Sequence, residues 1–210
     1  MLQNVHNKFR KGGYMKLGEL ANVRTGLVLS RKQFEPTNNT KVKYKQLNLK
    51  SISESGNIDV SQLDIFIANE NLKWEYLTHE GDIIVRLSHP YTAVLITKEN
   101  EGLIIPSHFV TIRTDRNKLL PEYICWLLNT QHIKNDISQN NSGTLGTIKP
   151  TYFADLTIHE IPISSQQKVA NINLMAKKEV QLLEKLIEQK QLYYKILTNK
   201  IQKDMRRGKK

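Results

Sequence analysis

The chain has 210 residues, 39% hydrophobic and 24% charged, with 10 Gly and 6 Pro: long enough for one substantial core, and too ordinary in composition for a disordered or fibrous protein. Its one cysteine, Cys125, excludes an internal disulfide framework, and the lack of Cys or His at ligand spacing excludes a structural zinc finger. The net charge of +11 points to a polyanionic partner, and it sits at the two ends: +9 over residues 1–50, −6 over 51–160 and +8 over 161–210.

Residues 1–15 form a basic leader without an apolar core, expected to lack regular structure. No later stretch reaches about eighteen apolar residues, so a cytoplasmic protein with no membrane role is expected. In KVKYKQLNL (41–49), Val42 and Tyr44 alternate with Lys41, Lys43 and Lys45, the period of a half-buried strand. Three further strands are expected in DIIVRL (82–87), TAVLIT (92–97) and IIPSHFVTIR (104–113), rich in β-branched residues and separated by SHPY and KENEG turns. Pro121 is placed to open a helix that places Ile124, Leu127 and Leu128 on one face and frays near Ser138. After the polar loop QNNSGTLGT comes a short strand with Leu156, Ile158, Ile161 and Ile163, which Pro162 confines to an edge or an end.

Ser164 followed by Gln167 has the form of a capping box and predicts a helix over 164–205, with a basic tail at 206–210. Ala176, Val180, Leu183, Ile187, Lys190, Tyr194, Leu197 and Ile201 recur in steps of four and three, the spacing of a coiled-coil seam. Leu182, Leu186, Tyr193 and Ile196 widen the stripe, as suits a helix with more than one neighbour. The expected class is α+β: a mixed α/β domain over 16–163 followed by one long coiled-coil-forming helix.

Catalytic patterns are missing. The sequence has no phosphate-binding Gly-Lys-Ser/Thr loop, no GxGxxG, no GxSxG and no HExxH pair. Asp59, Asp64, Asp82 and Asp155 carry no spacing that demands a metal. No catalytic residue, metal or cofactor is therefore expected. Binding chemistry is better represented: Arg, Lys, Ser, His and Tyr gather in ANVRTG, SRKQF, KVKYKQ and RLSHPY, side chains that neutralise phosphates or reach base edges.

Taken in order, KLGELANVRTG, EGDIIVRLS, IIPSHFVTIR leading into LLPEYICWLLNT, and SGTLGTIKPTYFADLTIHEIPISSQQKVANI before the long helix resemble one half of the specificity subunit of type I restriction-modification enzymes. The resemblance spans Lys16 to about Ile201. It implies a target-recognition domain that reads half of a split DNA site, and a helix that serves as spacer and docking surface for methyltransferase subunits. Two local departures stand out: Ser164, Ser165 and Gln166 replace a segment that commonly carries prolines and a Glu-Gln pair, and RLSHPY stands where the family often has a Gly-containing turn. A third is length, since a full subunit has two such domains and two such helices.

The expectation is a non-catalytic half-subunit that dimerises through Val180, Leu183, Ile187, Tyr194, Leu197 and Ile201 to read a bipartite, palindromic site. Its partners would be double-stranded DNA, a second copy of itself and modification subunits, with a restriction subunit as an open further partner. Arg24, Lys43, Lys45 and Lys149 are assigned to phosphates, with Thr25 beside them. Arg86, Ser88, His89 and Tyr91 are assigned to base edges, and the turn Ser142, Gly143, Thr144 to phosphate through its backbone. The alternatives are a basic coiled-coil adaptor that binds RNA or protein without sequence preference, and a minimal metal-dependent nuclease.

Overall fold

A computed structural model describes residues 13–32, 41–140 and 148–207. The leader through residue 12, the Ser142, Gly143, Thr144 turn and residues 208–210 lie outside this set. The chain divides into two compact units, residues 1–167 and 168–210.

The first unit is built on a four-stranded antiparallel sheet in the order β2-β7-β5-β6, formed by β2 (Ala21–Thr25), β5 (Ile83–Arg86), β6 (Ala93–Leu95) and β7 (Phe109–Thr114). Ile83, Ile84 and Val85 are buried on both parities, as are Phe109, Val110 and Ile112, so these strands read as continuous apolar runs instead of alternating ones. A separate antiparallel ribbon pairs β3 (Val42–Gln46) with β4 (Asp64–Ala68). There the alternation read in the sequence is realised, with Val42, Tyr44 and Gln46 partly buried and Lys43 and Lys45 exposed. A third pair joins β1 (Tyr14–Lys16) to β8 (Thr157–His159), so Tyr14 and Met15, inside the stretch expected as leader, belong to a strand.

Several boundaries differ from the sequence expectation. The strand expected over 104–113 starts only at Phe109, because residues 104–106 bond to other segments. The helix expected through Ser138 is two helices, α2 (Pro121–Leu128) and α3 (Gln131–Asn140). Asn129 breaks them: its side chain donates to the Cys125 and Ala93 carbonyls and accepts from the Ala93 N–H, drawing the turn onto β6. The last strand ends at His159, short of Ile161. Short helices α1 (Leu17–Leu20) and α4 (Thr151–Asp155) pack on each other, and the Leu17 N–H donates to the Leu156 carbonyl at 2.9 Å.

Residues 104–106 are the stitching point. The Ile104 N–H donates to Lys45 O and Ile104 O accepts from Leu47, which fixes the ribbon; Ile105 bonds Tyr76 and Leu27; and Pro106 O accepts from Phe109 at the start of β7. One apolar cluster (Leu27, Phe66, Ala68, Leu72, Ile104) sits under the ribbon, and another (Leu47, Ile84, Ile96, Ile105, Phe109 among others) lies between the sheet and the 47–63 segment. Gly26 passes so close to this segment that a Cβ would lie 2.2 Å from Pro106 O and 2.3 Å from Ile105 O.

Helix α5 (Ile163–Arg207) runs 45 residues, about 68 Å at 1.5 Å per residue. Its first turn closes on Pro162, whose carbonyl accepts from the Ser165 and Gln166 N–H groups at 2.8 and 3.1 Å, two residues earlier than the Ser164 cap expected. It also extends through Arg207, into the expected tail. Gln166, 2% exposed, ties this start to the domain: its side-chain oxygen accepts from Leu120 N–H at 2.8 Å, and its amide donates to Lys118 O and Ile161 O at 3.1 and 3.0 Å. Beyond residue 171 the helix keeps its large apolar side chains exposed: Val180, Leu183, Ile187, Tyr194, Leu197 and Ile201, with the flanking stripe of Leu182, Leu186, Tyr193 and Ile196, are 38–59% exposed. Among the described residues no helix is long and apolar enough to cross a membrane.

Gly26→Ala is expected to destabilise the first unit by at least about 3 kcal/mol, since the clash is with backbone that has no room to move. Gln166→Ala strands one buried N–H and two carbonyls and should cost about 2–3 kcal/mol in urea titrations. Gln166→Leu, which fills the volume without bonding, should not recover that loss.

Candidate nucleic-acid interface

The sheet register brings two of the predicted groups to one end of the sheet. Thr25 faces Val110, Val110 faces Val85, and Arg86 follows, so the chain leaves β2 and β5 at the same end with β7 between them. Arg24 and Thr25 are exposed there. Arg86 is partly buried; its Nη2 donates to His89 O at 3.3 Å, and burial lowers its pKa while Glu54 acts in the opposite sense.

The loop after Arg86 is a closed turn. Tyr91 N–H donates to Ser88 O at 2.9 Å, the His89–Pro90 peptide is cis, and Tyr91 has φ 55°. His89 is exposed and Ser88 partly buried, whereas the Tyr91 ring is 5% exposed and meets His89 edge-on at 6.0 Å. Tyr91 therefore packs against the turn from within. Lys149 is exposed beside this loop, since Ile148 N–H donates to Leu87 O at 2.8 Å. His108, whose carbonyl accepts from Leu87 N–H, is partly buried, and that burial, with the Arg86 charge, lowers its pKa.

The third predicted group, Lys43 and Lys45, lies on the outer face of the β3–β4 ribbon, joined to the sheet end through residues 104–106. Lys43 pairs with Ile67 and Lys45 with Ile65. Neither lysine makes an ion pair among the described residues. Arg24, by contrast, is held by Glu75 at 2.9 Å, which keeps the Glu75 carboxyl below its usual range. Lys32 is likewise bonded to Glu70. Arg24, Thr25, Gly26, Lys32 and Tyr76 line one open cleft at the end of β2.

Sequence reasoning missed the residues covering the neighbouring sheet face. Arg113, opposite Asn22 and so on the same face as Arg24, forms a two-point ion pair with Asp82 (2.8 and 2.9 Å) and donates to Leu77 O at 2.9 Å. Its guanidinium lies 4.0 Å over Trp74, and the indole also stacks on His79 at 4.1 Å yet stays 61% exposed. The four aspartates considered for a metal are dispersed: Asp82 on Arg113, Asp155 on Lys16, Asp59 on Ser61 and Asp64 on Asn48. Among the described residues no group of three or more His, Cys, Asp or Glu side chains is placed to hold a metal.

The arrangement is thus an α+β domain with a basic and polar surface where the sheet end and ribbon meet, and a long helix after it. No protein-family model matches the sequence, and no curated protein matches it. Solved structures do. A chain of a type I restriction-modification system, from work on its complex assembly and conformational transition, superposes with TM-score 0.62 at 18% identity over 82% of this chain and 44% of its own. The HsdS subunit of Thermoanaerobacter tengcongensis gives 0.61 at 18% identity over 83% and 44%. The type I restriction-modification S subunit of M. genitalium gives 0.53 at 12% identity over 85% and 42%. The chain has the fold of type I specificity subunits and spans less than half the length of each of these chains, which bears out the expected resemblance at the level of fold.

Proposed function

We propose that the chain is the sequence-specific DNA-recognition subunit of a type I restriction-modification system: a non-catalytic half-subunit that pairs with a second copy to read a bipartite site and docks modification subunits. The observation that carries this reading is the fold, shared over more than four-fifths of the chain with specificity subunits about twice as long. The basic surface supports DNA as the ligand. The exposed 4-3 stripe of α5 supports a helical partner, because a rod with that much uncovered apolar surface is stabilised by burying it against another helix. Two-fold pairing of identical domains implies an interrupted palindrome whose gap follows the length of the rod.

Light scattering on the purified chain should give a dimer near twice 24.3 kDa that dissociates on Leu183→Asp with Ile187→Asp. A monomer at all concentrations would replace self-pairing by pairing with a different subunit. In DNA titrations, Lys43→Ala should weaken all sequences alike and lower the salt slope by about one unit. Arg86→Ala should cost roughly 1–3 kcal/mol, mainly on the preferred site. Uniform loss in both variants would remove Arg86 from base reading.

A further inference from the structure

We infer that the β3–β4 ribbon is itself the major-groove reading element, with Ile65 and Ile67 as contacts to thymine methyl groups and Lys43 and Lys45 as phosphate clamps on the groove wall. This rests on the DNA-recognition reading and assigns it a specific surface. The ribbon's two faces differ sharply. On the inward parity Phe66 and Ala68 are 7% and 0% exposed and join the apolar cluster with Leu27, Leu72 and Ile104. On the outward parity Ile65 and Ile67 are 60% and 44% exposed, so the core among the described residues does not use them.

The outward face is also segregated by strand. Both lysines are on β3 and both isoleucines on β4, each lysine directly across from one isoleucine, with Cβ atoms about 5 Å apart. Among the described residues of the ribbon no carboxylate shares this face: Asp64 falls on the other parity and bonds Asn48 and Gln46. A ribbon of two strands about 4.8 Å apart fits a major groove about 12 Å wide. In that groove an apolar strand edge lies against methyl groups, and a lysine edge of opposite charge lies against the phosphates. The lysines favour DNA over a protein partner, since an apolar protein contact would bury two unpaired ammonium groups. Residues 104–106 hold the ribbon by backbone bonds, so the reading face is presented on a fixed support.

The test uses the full chain and a randomised duplex library. The wild-type chain is first allowed to enrich its preferred sequence; each thymine of that sequence is then replaced in turn by deoxyuridine, which lacks only the methyl group. The expected result is about fourfold weaker binding at one or two positions for the wild type, the effect of one buried methyl. Ile67→Ala or Ile65→Ala should erase that penalty at its own position, with unchanged melting temperature because both side chains are exposed. If the wild type enriches a sequence but the variants keep the same preference and the same uracil penalty, the ribbon does not read bases and the inference is overturned; isoleucines that pack on a partner protein would give that outcome. If the wild type enriches nothing, the DNA-recognition reading fails first, a different and recognisable result.

Discussion

The molecule depends most on three residues with no regular structure of their own. Ile104, Ile105 and Pro106 give their backbone groups to β3, to Leu47, to Tyr76, to Leu27 and to the start of β7. Because each N–H or carbonyl there would otherwise be buried unpaired, the bonds fix position as well as energy. Ribbon, cleft and sheet end therefore share one reference frame. The contact leaves no space for a side chain at residue 26, which is why a glycine follows the exposed Arg24 and Thr25.

The long helix poses the opposite condition. Its stability as a helix comes from propensity and length, with no Gly or Pro between residues 163 and 207, and not from burial, since the apolar side chains beyond residue 171 stay open. A stripe two residues wide exceeds the narrow seam of a simple two-stranded coil, which suits contact with more than one helix. The domain, by contrast, covers its own apolar core, and its part-buried ion pair, Arg113 with Asp82, has bonds on both carboxylate oxygens and a further one to Leu77. The two units thus differ in what they need from outside.

Much of the fold was legible in the sequence, and the exceptions have local causes. The alternation in KVKYKQ gave its strand and its exposed lysines, because one face of the ribbon is core and one is solvent. The 4-3 spacing gave the long helix to within a few residues. Its start was displaced because Pro162, and not Ser164, supplies the first carbonyl, and Gln166, which reads as an ordinary polar residue, is a buried three-bond hub. The break at Asn129 was hidden because its cause is a tertiary bond to Ala93. DIFIA offered no period at all: four of its five residues are apolar, so only the pairing register shows that Ile65 and Ile67 face outward. Trp74 and Arg113 meet from segments 39 positions apart, and no spacing rule could have joined them. The burial of Tyr91 was not legible, because an aromatic in a polar loop looks exposed, whereas the turn carries it inward.

The two parities of the ribbon have a consequence for how such a protein changes over time. Among the described residues, positions 43, 45, 65 and 67 lie on the exposed face of the ribbon, while Tyr44, Phe66 and Ala68 on its other face are fixed by the core. A single nucleotide change at an outward position alters the chemistry presented to a ligand and leaves folding untouched. Inventing a new preference and keeping a stable domain are thereby assigned to alternate residues of the same ten, and selection can act on one without disturbing the other.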